Sequence, residues 1–179
     1  MTHILIVESS PRGTESASRK LTGKLRERLE MQYPETTIIE RDLVKDKLPQ
    51  LDQPTLKAIS TKDPVEAESL KEAGYLSNQL VDELMMSDLL VIACPMWNFG
   101  IPPSLKAWID YIVRAGKTFN YAGAGVEGLA KGKKAILGSH QGESSVKGLG
   151  KAGISWSRIC ARSWVSLELK MSRLSGPKV

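Results

Sequence analysis

Residues 4–18, Ile4-Leu5-Ile6-Val7-Glu8-Ser9-Ser10-Pro11-Arg12-Gly13-Thr14-Glu15-Ser16-Ala17-Ser18, decide the fold. Four consecutive β-prone apolar residues suit a strand covered on both faces, as in a parallel sheet. A hydroxyl-rich loop follows, then a predicted helix of about 15 residues with Leu21, Leu25 and Leu29 on one stripe. Working outward, Thr37-Ile38-Ile39-Glu40 reads as a second strand, followed by a polar, Pro-containing stretch. Asp63-Pro64 opens a helix by the N-cap-then-Pro rule, running over 65–86 with a break near Gly74. Leu89-Leu90-Val91-Ile92-Ala93 is a third buried strand, ended by Pro95. A helix over 104–115 stops at Gly116, and Lys133-Lys134-Ala135-Ile136-Leu137 begins a fourth strand. Strands alternating with helices predict an α/β domain with a doubly wound parallel sheet. In the order 2-1-3-4-5, ligands sit beyond the carboxyl ends of strands one and three, where the strand order reverses.

The 179 residues are 41% hydrophobic, 25% charged and 6% aromatic, which suits one globular domain. Two cysteines, Cys94 and Cys160, make no disulfide framework, so a reducing, cytoplasmic setting is expected. The run Ile4-Leu5-Ile6-Val7 is too short for a signal-peptide core, and nothing approaches the ~18 apolar residues of a membrane span. Residues 1–137 hold 18 basic and 18 acidic side chains, so the net +5 belongs wholly to residues 138–179. A nucleic-acid binder needs a basic face on its folded scaffold, and here the scaffold is neutral.

The first loop lacks the G-x-G-x-x-G of dinucleotide sites. It offers Ser9, Ser10, Thr14, Ser16 and Ser18 beside backbone N–H groups at a helix start, where the dipole favours an anion. Hydrogen bonds to a charged group contribute ~1.5–3 kcal/mol each, so three or four hold a monophosphate without a lysine. Any one serine can be a helix cap only; the cluster at a switch point favours phosphate. The second loop, residues 94–103, carries Met96, Trp97, Asn98 and Phe99 among three prolines. Apolar faces and a directed amide suit a flat heteroaromatic ring, although a Pro-stiffened turn covering the core is the competing reading. His3 reads as a surface residue and Cys94 as a small core hydrophobe. Arg12 is either a phosphate neighbour or solvated, and Lys131, Lys133 and Lys134 charge the entry to strand four. No Cys/His spacing suggests a metal site.

With these residues in view, the chain resembles the FMN-dependent NADH-azoreductase and NAD(P)H:quinone oxidoreductase family, of flavodoxin-like fold. The likeness rests on the first 18 residues, on P-M-W-N-F-G-I-P-P-S-L-K-A-W-I-D at 95–110, on R-A-G-K-T-F-N-Y at 114–121, and on G-L-A-K-G-K-K-A-I-L at 128–137. It implies that Ser10, Ser16, Ala17 and Ser18 grip the FMN phosphate. The family's M-Y-N-F flavin segment falls on Met96, Trp97, Asn98 and Phe99, with Trp in place of Tyr. Backbone N–H groups at 96–99 are expected to stabilise negative charge on the reduced ring. The resemblance further implies a bound FMN and NADH or NADPH as co-substrate. It also implies two-electron, ping-pong transfer to quinones or aromatic azo compounds, no catalytic triad, Phe119 in the substrate pocket, and a homodimer. Alternatives are an NADPH-dependent FMN or chromate reductase of the same fold, a flavodoxin-like one-electron carrier, and a non-catalytic remnant without flavin.

The likeness covers 1–137, the flavodoxin-like FMN-binding domain; residues 138–179 read as an aberrant, out-of-frame tail. Codons can be chosen so that the neighbouring frame reads F-S-S-R-G-V-F-S-E-G-L-G-K-G-W-D-F-M and then a string containing G-F-I-G-I. Both look like the family's C-terminal part. On that reading the tail lacks the third flavin loop, whose place is taken by residues 139–142, and the alternation Val165, Leu167, Leu169, Met171 is accidental, so no authentic fifth strand is expected. Such a chain is expected to fold poorly or to hold FMN weakly.

Overall fold

Strand β1 (Thr2–Glu8) sits inside a parallel sheet because its alternate residues feed two separate cores. Leu5 and Val7 pack on one face, with Leu80, Leu84, Leu105, Trp108 and Ile112, while Ile4 and Ile6 pack on the other with Leu29 and Val91. The computed structural model describes residues 2–98, 100–123, 125–140 and 170–175.

After β1 comes a 3-10 turn (Gly13–Glu15), then α1 (Ala17–Gln32), capped by the Ser16 hydroxyl, and β2 (Thr36–Asp42). The polar stretch that follows holds a helix not foreseen, α2 (Gln53–Ser60), whose Asp52 cap accepts from Thr55 N–H at 2.9 Å. Asp63 caps α3 (Pro64–Ser69) as expected. The helix break falls at Leu70, not at Gly74, which lies inside α4 (Lys71–Met86). Gly74 instead serves packing: a Cβ there would stand 3.4 Å from Ala58 of α2. Strand β3 (Leu89–Pro95) and α5 (Pro103–Ile112) complete the second unit, the helix ending three residues earlier than expected.

A second unforeseen element is the antiparallel hairpin of β4 (Phe119–Ala122) and β5 (Gly125–Gly128), too short and too polar to show an alternating pattern. Lys133 donates to the carbonyl oxygens of Met85 and Ser87 at the end of α4, so this cation faces the negative end of a helix, before β6 (Lys134–His140) begins.

The sheet order is β2-β1-β3-β6, all parallel, with β7 (Lys170–Ser175) pairing onto β6. The 2-1-3-4-5 order therefore stands. The expectation that the tail supplies no fifth strand is corrected: backbone N–H and C=O groups on the β6 edge pair with any extended segment, whatever its side chains. Of the loop expected over 139–142, Ser139 and His140 instead end β6, while residues 141–142, like Val165, Leu167 and Leu169, lie outside the described residues. Among the described residues, no helix is long and apolar enough to cross a membrane.

Candidate functional site

Because β1 and β3 are neighbours in the sheet and β2 and β6 lie outside them, the loops leaving β1 and β3 diverge from one switch point. Ser9 ties them together. Its N–H and Oγ both donate to the Ala93 carbonyl, at 3.3 and 2.6 Å, and its own carbonyl accepts from Ser104 Oγ at the start of α5, at 3.4 Å.

Ser10 on the loop, Ser16 at the helix cap and Ser18 in the first turn of α1 are each at most 2% exposed, a high burial for hydroxyls. Ser16 Oγ and Ser18 Oγ lie 2.9 Å apart, and Ser16 Oγ accepts the Arg19 N–H at 3.3 Å, capping α1. Ser10 Oγ accepts the Arg12 N–H at 3.4 Å. A hydroxyl that accepts keeps its own hydrogen to donate. Ser16 and Ser18 thus lie together at the positive end of α1, with Ala17 exposed at the first helical position, and the Ser10 carbonyl is tied to the same helix end by Arg19. Thr14 and Arg12 are exposed, and Ser9 is engaged by β3.

The second loop turns sharply. Trp97 N–H and Gly100 N–H exchange hydrogen bonds with each other's carbonyls at 3.0 and 2.8 Å, and Asn98 takes φ of +46°, a left-handed conformation that Asn tolerates better than most residues. The Trp97 N–H, one of the 96–99 amides expected to stabilise charge on a ring, is committed to the Gly100 carbonyl within the turn. Trp97 is 42% exposed, Met96 is half-buried and Asn98 exposed; Phe99 lies outside the described residues. Phe119 is half-buried on β4, its ring edge-to-face with Tyr121 at 5.4 Å. Cys94 is buried as expected, and His3 is half-buried, its N–H donating to Asp88.

Beneath the first loop lies an ionic cluster that the sequence reading missed. Asp42 ends β2 opposite Glu8 in register, and both side chains are buried. Arg19 donates from Nη1 and Nη2 to the two Asp42 oxygens, both at 2.8 Å, and its Nε stands 3.9 Å from Glu8 Oε2. The Arg19 hydrogen bonds hold the Asp42 carboxyl down to about 2, so its stabilisation is present above its ordinary 3.8 and lost as pH falls through about 2. Glu8 goes the other way. Burial raises its pKa, against the hydrogen bond from Thr22 and the charge of Arg19, and Oε2 has no hydrogen-bond partner. A raised folded pKa means stability that is present below 4.5 and lost as pH rises through the folded value. Glu8→Gln keeps an acceptor for Thr22 and removes the buried charge. Its melting temperature relative to the parent should therefore be higher at pH 8 than at pH 4, by roughly 2–4 °C per kcal/mol. A difference that is the same at both pH values, or reversed, contradicts this.

A family model described as flavodoxin-like fold matches residues 2–158. The chain is 58% identical over 137 residues to an FMN-dependent NADH:quinone oxidoreductase of Beijerinckia indica, covering 76% of this chain and 68% of that protein. It is 44% identical over 139 residues to FMN-dependent NADH:quinone oxidoreductase 3 of Pseudomonas aeruginosa, covering 76% of this chain and 64% of that one. Among solved structures, an azoreductase from Bacillus anthracis superposes with a TM-score of 0.81 at 27% identity, covering 98% of this chain and 88% of that one. The aligned part thus spans about two thirds of the length of the curated relatives.

Proposed function

Since the chain belongs to the FMN-dependent NADH:quinone oxidoreductase and azoreductase family, of flavodoxin-like fold, we infer that it is an FMN enzyme passing two electrons from NADH or NADPH to quinones or aromatic azo compounds. What supports this is the pair of buried hydroxyls, Ser16 and Ser18, at the N-terminus of α1, on a loop that Ser9 ties to the end of β3, the strand from which the aromatic-bearing turn leaves. The donor set would suit a flavin phosphate: neutral hydroxyls stand at a helix N-terminus, while Asp42 is paired with Arg19 and Glu8 accepts from Thr22.

FMN held there would supply two-electron redox chemistry between the nicotinamide and the acceptor, for which a ping-pong order is proposed. The protein's own residues bind and orient. Ser10, Ser16 and Ser18 would donate to the phosphate, helped by the α1 dipole, and Ala17, with its small side chain at the first helical position, would leave the backbone open to it. Met96, Trp97, Asn98 and Phe99 are assigned to the ring; an indole in the tyrosine position keeps a flat face and donates N–H only. Phe119 is assigned to the pocket wall, where it excludes water from the reacting face.

A homodimer in the cytoplasm completes this reading: Trp97 is 42% exposed and, on the hairpin, Tyr121 is 78% and Val126 49% exposed, apolar surface that a second copy would cover. Residues 138–179 are proposed to be an out-of-frame replacement of the family's C-terminal part, which weakens FMN binding. The test of function is anaerobic. NADH or NADPH should bleach the flavin absorbance of the FMN-loaded chain, and a benzoquinone should restore it. No bleaching by either nucleotide would overturn the reading.

A further inference from the structure

We propose that Arg19 is a positioning residue that shapes the phosphate loop through the Ser10 carbonyl and does not touch the phosphate itself. The inference rests on the FMN reading above and deepens it.

Arg19 stands three residues after the Ser16 cap, in the first turn of α1. A cation there is opposed by the helix dipole, and a nearby anion would ordinarily explain it. The geometry gives another reason. Its Nη1 and Nη2 grip the Asp42 carboxylate, both at 2.8 Å, while Nε and Nη2 donate to the Ser10 carbonyl oxygen at 3.1 and 3.0 Å. Asp42 is itself held by N–H groups of Val44 and Lys45 at 3.0 and 3.3 Å, so the grip is anchored at the end of β2.

The carbonyl so held belongs to the Ser10–Pro11 peptide, which has no N–H. That peptide can offer an anion only its oxygen, the repulsive end. Arg19 occupies that oxygen with two hydrogen bonds, keeping it turned toward the Asp42 side while the Ser10 hydroxyl, accepting from Arg12 N–H, retains its hydrogen. The planar guanidinium spans both partners at once, which a lysine ammonium on its single point cannot reproduce.

The test compares two ligands that share a ring and differ in the phosphate. Affinities of FMN and riboflavin are measured by flavin-fluorescence titration for the deflavinated parent, Arg19→Lys and Asp42→Asn. The ratio of the two affinities does not depend on the fraction of a variant that is folded. Both variants should lose tenfold or more of the preference for FMN, with riboflavin affinity changing less than twofold. If the parent prefers FMN and both variants keep that preference, or lose both ligands equally, the positioning role falls. If Asp42→Asn binds FMN more tightly, Arg19 is a direct phosphate ligand once released, and the proposal is again overturned. A parent that binds the two ligands alike removes the FMN-phosphate reading, and the positioning role with it.

Discussion

Replacing Ser16 and Ser18 together by alanine is expected to weaken FMN binding roughly 100-fold or more, while leaving riboflavin affinity within about twofold of the parent. Each hydroxyl hydrogen bond to the charged phosphate contributes ~1.5–3 kcal/mol, and two of them amount to ~3–6 kcal/mol, with ~1.4 kcal/mol per tenfold. The double replacement is cleaner than either single one. The two hydroxyls lie 2.9 Å apart and both are buried, so removing one leaves the other short of a partner. Ser16 also caps α1 by accepting from Arg19 N–H, so the variant should lose ~1 kcal/mol of stability and melt a few degrees lower. Isothermal titration with each ligand below that temperature separates the two effects. Equal losses for FMN and riboflavin would mean that the pair serves the helix and not a phosphate.

The second large effect concerns residues 138–179. A chain that continues after Leu137 in the neighbouring reading frame should bind FMN roughly tenfold or more tightly than the 179-residue chain, the worth of one further charged-group hydrogen bond or more. The register explains why this segment matters to the site. Strand β6 pairs Ser139 with Cys94 and His140 with Pro95, so the described end of β6 is level with the start of the Met96–Asn98 turn. The family's third flavin loop, whose place residues 139–142 take in the sequence, would add donors beside the ring. Gel filtration followed by flavin quantitation reads the difference: near one FMN per chain retained by the reframed protein, and less by the other. Equal retention would show that the tail does not impair the site, and an unbroken frame on sequencing codons 135–142 would remove the proposed origin of the tail.

Much of this was legible in the order of the residues. The runs Ile4-Leu5-Ile6-Val7 and Leu89-Leu90-Val91-Ile92 are continuous because both sheet faces are covered, and that alone leads to a doubly wound sheet and to its switch point. Ser10, Ser16 and Ser18 could be picked out because polar side chains clustered at a helix start have a physical reason to be there. What escaped notice depends on contacts distant in the chain. Glu8 looks like the charged end of a strand, and Asp42 like a loop residue; only the pairing of β1 with β2 places them side by side around Arg19. The β4–β5 hairpin carries no periodic signal over four residues per strand. A fifth strand is doubtful from the sequence of 138–179, yet the backbone groups on the β6 edge pair with residues 170–175.

The proposal that two loops hold one FMN is tested most directly by a crystal structure of the chain saturated with FMN. The phosphate should lie within hydrogen-bond reach of the Ser10, Ser16 and Ser18 hydroxyls, with the isoalloxazine ring against Trp97 and Asn98. A flavin seated elsewhere, or one whose phosphate points to solvent, would contradict it.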